Sequence, residues 1–221
     1  MNNTIFSSVD NYISKLLLAP DPALTGTEAA IEAAGIPSIS VSPNQGKFLH
    51  ILARLCQAKK ILEVGTLGGY STIWMARALP ENGKLITLEI DPTHAAVAQK
   101  NIEKAGLEHI VDIRIGKAID LLPELQANGA GPFDMIFIDA DKPPYAEYFQ
   151  WAIKLSRPGT LIVTDNVIRE GKVLDPDNND PMVAGARRFN QVLADSDAVT
   201  ATIVQTVGSK EHDGMAIAIV K

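Results

Sequence analysis

Between residues 61 and 166 short apolar runs alternate with segments of helical periodicity, and this alternation restricts the fold more than any other feature of the chain. Runs such as Ile61-Leu62-Glu63-Val64, Met135-Ile136-Phe137-Ile138 and Leu161-Ile162-Val163 are too short for buried helices and read as strands covered on both faces. The spacing predicts strands over 61–64, 84–90 and 111–115, helices over 71–79, 94–105 and 119–125, and two further strands that end at Asp139 and Asp165. Strands separated by helices pair in parallel through crossovers of one hand, which gives an α/β doubly wound sheet with helices on both faces.

Ahead of this block, Val9, Tyr12, Ile13, Leu16 and Leu17 recur at helical spacing and predict an amphipathic helix broken by Pro20-Asp21-Pro22. A short helix over 28–34 follows, and a third starts at Ser42-Pro43-Asn44 and runs to Cys56 with Phe48, Leu49, Ile51, Leu52 and Leu55 on its apolar side. Near the other end, apolar runs over 201–207 and 215–220 flank a polar turn and predict a terminal antiparallel hairpin. With no repeat, linker or low-complexity tract, residues 1–221 read as one domain, and 1–40 as a helical segment within it that serves substrate binding or dimerisation.

Several function classes are excluded at this point. A net charge of -6 supplies no basic field for nucleic acid or anionic membrane. Asp10 and Lys15 interrupt the first apolar segment, so it is not a signal peptide, and no stretch approaches the roughly 20 apolar residues of a membrane helix. The single cysteine, Cys56, rules out an intramolecular disulfide and a cysteine-based zinc site, which fits the cytoplasm.

Ligands of open α/β sheets bind at the carboxyl ends of the strands. Asp139, Asp165 and Asn166 stand at two such ends and present only oxygen, which suits a hard divalent cation such as Mg²⁺, with Mn²⁺ or Ca²⁺ as substitutes. Glu63-Val64-Gly65-Thr66-Leu67-Gly68-Gly69-Tyr70-Ser71 occupies a strand-to-helix turn where glycines let backbone approach a ligand. It has no Gly-Lys-Ser/Thr ending for a triphosphate, and Leu67 stands at the second glycine position of a dinucleotide fingerprint. Glu89, at the next strand end, is placed to accept hydrogen bonds from ribose hydroxyls. Gly116-Lys117-Ala118 either borders an adenine or forms a plain turn.

Each feature alone has a structural reading. Asp139 and Asp141 suit caps of the following helix, Asp165-Asn166 is turn chemistry, and Lys142 before Pro143-Pro144 suits a solvated loop. Asp175, Asp177 and Asn179 lack the glycine and the terminal glutamate of a calcium loop, and read as a flexible polar loop over the substrate entrance. His212-Asp213-Gly214 lies in the hairpin turn and reads as a surface turn, with reach to the site as the alternative.

Taken together, Glu63-x-Gly65-x-x-x-Gly69-Tyr70-Ser71, Ile138-Asp139-Ala140-Asp141-Lys142 and Thr164-Asp165-Asn166-Val167 resemble the cation-dependent O-methyltransferases, the group of caffeoyl-CoA and catechol O-methyltransferases. The resemblance runs from about Val41 to Lys221. It implies a Rossmann-like class I methyltransferase fold with a mostly parallel seven-stranded sheet, S-adenosylmethionine as cofactor and a homodimer. It also implies site roles. Glu89 would bind the ribose, the turn with Glu63, Gly65, Gly69, Tyr70 and Ser71 would face the methionine part, Val41 and Ser71 would lie near its carboxylate, and Ala118 would border the adenine. Asp139, Asp165 and Asn166 would hold the metal, Lys142 would be the catalytic base, and Asp139 would also approach the sulfonium.

The implied reaction is methylation of one hydroxyl of a catechol-like or hydroxycinnamoyl vicinal diol. Three protein oxygens leave three positions of an octahedral cation for two adjacent hydroxyls and one water. A phenol of pKa about 10 is ionised about one part in a thousand at pH 7, so acidifying it by three units is worth roughly 4 kcal/mol. Methylation of a tRNA hydroxyuridine, which the net charge opposes, and non-catalytic cofactor binding are the alternatives.

Overall fold

The computed structural model describes residues 3–210 and 212–221. Three helices come first, α1 (Asn3–Leu17), α2 (Pro22–Ala33) and α3 (Pro43–Leu55), followed by β1 (Lys60–Val64), α4 (Tyr70–Ala76), β2 (Lys84–Glu89), α5 (Pro92–Lys104), β3 (Val111–Ile115) and α6 (Ala118–Ala127). The order continues with β4 (Met135–Ile138), α7 (Tyr145–Lys154), β5 (Leu161–Thr164), a 3₁₀ turn (Arg169–Leu174), α8 (Pro181–Ala194), β6 (Val199–Thr206) and β7 (Asp213–Val220). The seven strands form one sheet in the order β3-β2-β1-β4-β5-β7-β6. Strands β1 to β5 pair in parallel, and β7 runs antiparallel to both β5 and β6. The predicted sheet, with its antiparallel hairpin, is therefore the observed one.

Alternation along the strands divides the core in two. Ile61, Met135 and Phe137 pack with Leu49 of α3, Ile73 of α4 and Ile102 of α5 on one face. Leu62, Ile136 and Ile138 pack with Leu122 of α6, Phe149 of α7 and Phe189 of α8 on the other. Because both faces are covered, β4 and β5 are buried throughout and can be uniformly apolar.

Three elements differ from expectation. Helix α2 begins at Pro22 rather than at 28, because Asp21 caps it through the amides of Ala23 and Leu24, and a proline at the first helical position fits the missing amide hydrogen. Helix α4 stops at Ala76, short of 79. Helix α8 was not anticipated; Asp180 caps it through Met182 N and Pro181 opens it. The segment between the 3₁₀ turn and α8 is tied down rather than free, since the Arg187 guanidinium donates to the carbonyl oxygens of Asp175 and Asn178. Among the described residues no helix is long and apolar enough to cross a membrane.

Candidate active site

Parallel strands deliver their last residues to one edge, and β4 and β5 are neighbours in register, Ile138 beside Thr164. The residues that follow them, Asp139, Asp165 and Asn166, therefore emerge side by side. Asn166 adopts φ 56°, a left-handed conformation that asparagine tolerates, while its amide donates to Asp165 Oδ1 at 2.8 Å. The turn chemistry of Asp165-Asn166 is thus real, and it aims the Asn166 side chain back over the strand end.

Lys142 joins the two strand ends. The residue is 4% exposed, and its ammonium donates to Asp139 Oδ1 at 3.1 Å, Asn166 Oδ1 at 3.0 Å and the Tyr145 hydroxyl at 2.6 Å. The Tyr145 hydroxyl, fully buried, donates to the Asp165 carbonyl oxygen at 3.1 Å, and burial reinforced by the Asp139 and Asp165 charges holds it far above the ordinary phenol range. Lys142 is therefore no solvated loop lysine. Nor do Asp139 and Asp141 cap α7, whose cap position is Pro144, without a side-chain bond; Asp141 instead accepts from the Tyr148 hydroxyl at 3.0 Å. Burial and the nearby Asp139 carboxylate push Asp165 up to about 7.

The glycine turn lies against the same strand end. Gly65 has φ +99°, and a Cβ there would sit 2.0 Å from the Asp139 carbonyl oxygen. No other residue fits. Glu89 Oε2 accepts from the amides of Thr66 at 3.2 Å and Leu67 at 2.7 Å, and Oε1 from Asp91 N at 2.9 Å, so its carboxylate anchors the turn as well as facing the strand edge. Asn101 of α5 donates to the Gly68 carbonyl oxygen at 3.0 Å.

Two residues of the predicted cofactor set turn their side chains inward. Glu63 is fully buried and accepts from the hydroxyls of Ser71 at 2.6 Å, Thr87 at 2.7 Å and Thr72, and burial pushes it up to about 7. Tyr70 is buried in the core and its phenol is pushed up to about 12 by that burial. Gly69 starts α4 with φ +85°, and Ala118 opens α6, half-buried, beyond β3.

A cleft of about 450 Å³ opens at this edge and gathers Val41, Asp139, Asp165 and Asn166. It also gathers Arg169 and Glu170 of the 3₁₀ turn and Lys210, which no local pattern announced, together with His212 and Asp213 of the hairpin turn. The turn over 212–214 thus lines the cleft instead of lying apart on the surface. Asp213 Oδ1 accepts from the amides of Ile168 and Arg169 at 2.9 Å each, fixing the chain as it leaves Asn166. Sequence separation of more than 40 residues hid this contact, and only the polarity of the turn hinted at it.

A divalent cation fits the donor set. Oxygens from the ends of β4 and β5 already converge on one cationic group, Lys142 Nζ, and Asp165 beside them is driven toward its neutral form by burial and then by the Asp139 charge, which a cation would offset. Among the described residues no three His, Cys, Asp or Glu side chains gather as a metal cluster; here two carboxylates are completed by an amide oxygen.

The pattern of the O-methyltransferase family matches residues 24–219. The chain is 71% identical to a catechol O-methyltransferase of Niastella koreensis over the whole of both chains. It is 47% identical to a catechol O-methyltransferase of Mycobacterium tuberculosis, over 96% of this chain and 95% of that one. A crystal structure of the O-methyltransferase from Bacillus cereus in complex with SAH superposes with a TM-score of 0.97 at 49% identity, covering 99% of each chain.

Proposed function

The chain belongs to the O-methyltransferase family and is an S-adenosylmethionine-dependent enzyme, and from that premise we propose that it methylates one hydroxyl of a catechol-like or hydroxycinnamoyl vicinal diol with a divalent cation, Mg²⁺ first, held by Asp139, Asp165 and Asn166. The observation that carries this reading is the convergence of Asp139 Oδ1 and Asn166 Oδ1 on one point, 3.1 and 3.0 Å from the Lys142 nitrogen. When bound, the cation supplies the charge that acidifies a coordinated hydroxyl, and S-adenosylmethionine supplies the electrophilic methyl group.

The chain's own residues do the rest. As the neutral amine, having first released a proton to solvent, Lys142 would take the phenolic proton at Nζ, an atom that Tyr145 fixes through its 2.6 Å contact. Glu89 binds the ribose, and the turn from Gly65 to Ser71, stiffened by Glu63 and Asn101, receives the methionine part near Val41. Ala118 borders the adenine. Held together, these groups align the diol oxygen with the methyl group, and such positioning contributes several kcal/mol to a bimolecular step.

The test is a mass-spectrometric methyl-transfer assay on catechols, hydroxycinnamates and mono-phenols, with Mg²⁺ and with EDTA. Vicinal diols alone should be methylated, EDTA should abolish the reaction, and Asp165→Ala should lower cation-stimulated turnover by about a hundredfold or more. Activity untouched by EDTA would remove the cation from the reading. We also propose that two copies associate through the apolar sides of α1 and α3, where Tyr12, Leu16, Leu17 and Leu55 are exposed.

A further inference from the structure

The cleft carries a cationic side chain that the reaction above leaves without a task. Arg169 follows the cation-binding pair by three residues and lines the same cleft as Asp139, Asp165 and Asn166. Its backbone is held at φ 53°, followed by Glu170 at φ 59° and Gly171 at φ 83°. Left-handed non-glycine residues in succession persist only where surrounding contacts impose them, and such outliers concentrate at ligand clamps. The imposing contacts are Asp213 Oδ1 on the amides of Ile168 and Arg169, and the His212 carbonyl oxygen on the amide of Glu170 at 3.0 Å.

The guanidinium faces the Asp213 carboxylate, but among the described residues it donates no side-chain hydrogen bond. Asp213 Oδ2 lies 3.7 Å from Arg169 Nη1, beyond hydrogen-bond distance, and the other Asp213 oxygen is committed to three backbone amides, of Ile168, Arg169 and Gly214. Arg169 Nε is buried without a partner among the described residues. A guanidinium beside a cleft whose ion pair with Asp213 is longer than a hydrogen bond keeps Nη donors for a carboxylate, which a guanidinium can take in bidentate fashion. Lys210 lines the same cleft and spends one bond on the Ser38 carbonyl oxygen at 3.1 Å, adding a second positive charge. Glu170, the acidic residue beside Arg169, is matched by Lys172 at 3.0 Å and does not neutralise Arg169.

We propose that Arg169, assisted by Lys210, selects diol substrates that carry a carboxylate on or near the aromatic ring, so that the diol faces Asp139, Asp165 and Asn166 while the acid faces the guanidinium. This rests on the diol reading above and narrows it from catechols in general to acidic catechols. A charge-assisted bond of this kind favours the acid over its uncharged ester by about tenfold or more in kcat/KM, expressed in KM.

The test compares a dihydroxybenzoic acid, its methyl ester and an aminoethyl catechol as substrates of the full-length enzyme with Mg²⁺. Wild type should prefer acid over ester by about tenfold or more and should disfavour the amine, and Arg169→Gln should collapse the acid-to-ester ratio to about one. Lys210→Gln should lower that ratio partially, which keeps the proposal testable should the Arg169 variant fold poorly. Equal kcat/KM for acid and ester in wild type, or an Arg169→Gln enzyme that keeps the wild-type ratio, overturns the proposal while leaving the diol reading intact. Methylation of none of the three diols overturns both.

Discussion

At the scale of single residues, Glu63 ties the cofactor turn to the sheet and does so at an electrostatic cost. Its carboxyl, held up to about 7 against an ordinary 4.5, is surrounded by three donating hydroxyls that only partly offset its removal from water. Between those two values the folded chain binds a proton that the unfolded chain has released. Stability therefore falls as pH rises from 4.5 to about 7 and stays lowered above. Glu63→Gln, which carries no charge, should show a shallower fall in Tm than wild type when melts are recorded in steps across that window. An identical slope in both proteins would remove Glu63 as a cause. The residue reads differently from sequence and structure: a glutamate two positions before a glycine turn resembles a ligand, whereas its hydroxyl partners Ser71, Thr72 and Thr87 show it bracing the turn from within. Asp139, Lys142, Asp165 and Asn166 were legible because each lies within a few residues of a strand end, where local pattern determines position. Arg169 was not, because its backbone is held by Asp213, 44 residues away in sequence.

Among the elements, α8 packs against the backbone of Lys142, the proposed base. Gly185 of α8 lies so near the loop after β4 that a Cβ would stand 2.3 Å from the Lys142 carbonyl oxygen. Backbone cannot retreat as a flexible side chain can, so Gly185→Ala should destabilise the fold by about 1–3 kcal/mol through overpacking. Denaturant midpoints measure the loss, and turnover should fall with it because Lys142 moves. An unchanged midpoint would mean that α8 yields without strain. The same small residues explain why α8 escaped the sequence reading: Gly185 and Ala186 thin out its apolar stripe, although Val183, Phe189 and Leu193 are buried and Asp180-Pro181 is a start signal. The strands β4 and β5 were legible because burial on both faces leaves unbroken apolar runs, which need no distant information to recognise, whereas the partly exposed β3 was placed by its position in the alternation. Helix α2 was misjudged at its start because a proline serves equally as a breaker and as a first helical residue.

Across the whole molecule, exposed apolar surface is concentrated on the helices that precede the sheet. Ile5, Val9, Tyr12, Leu16 and Leu17 of α1 are all exposed, as are Phe48, Ile51 and Leu55 of α3. Contiguous apolar surface of this kind marks an interaction face. Sedimentation equilibrium should give a dimer at micromolar concentration, and Leu16→Lys with Leu55→Lys should shift it toward monomer. Wild-type protein that sediments as a monomer throughout would contradict the proposed pairing. Asp10 gives that face a link to the cleft, since its carboxylate accepts from Ser209 N and Oγ at 3.0 Å each, in the hairpin turn beside Lys210.

Strand β7 lies between β5 and β6 although its residues are made after those of both. While a ribosome is still extending the chain, β5 has β4 on one side and open backbone on the other, and the segment after Asn166 lacks the Gly214 carbonyl and the Asp213 carboxylate that fasten it. Unpaired strand edges of this kind invite pairing with other chains. The sheet edge that bears Asp139, Asp165 and Asn166 is consequently completed only after β7 has emerged, and a nascent chain lacks its cleft until then.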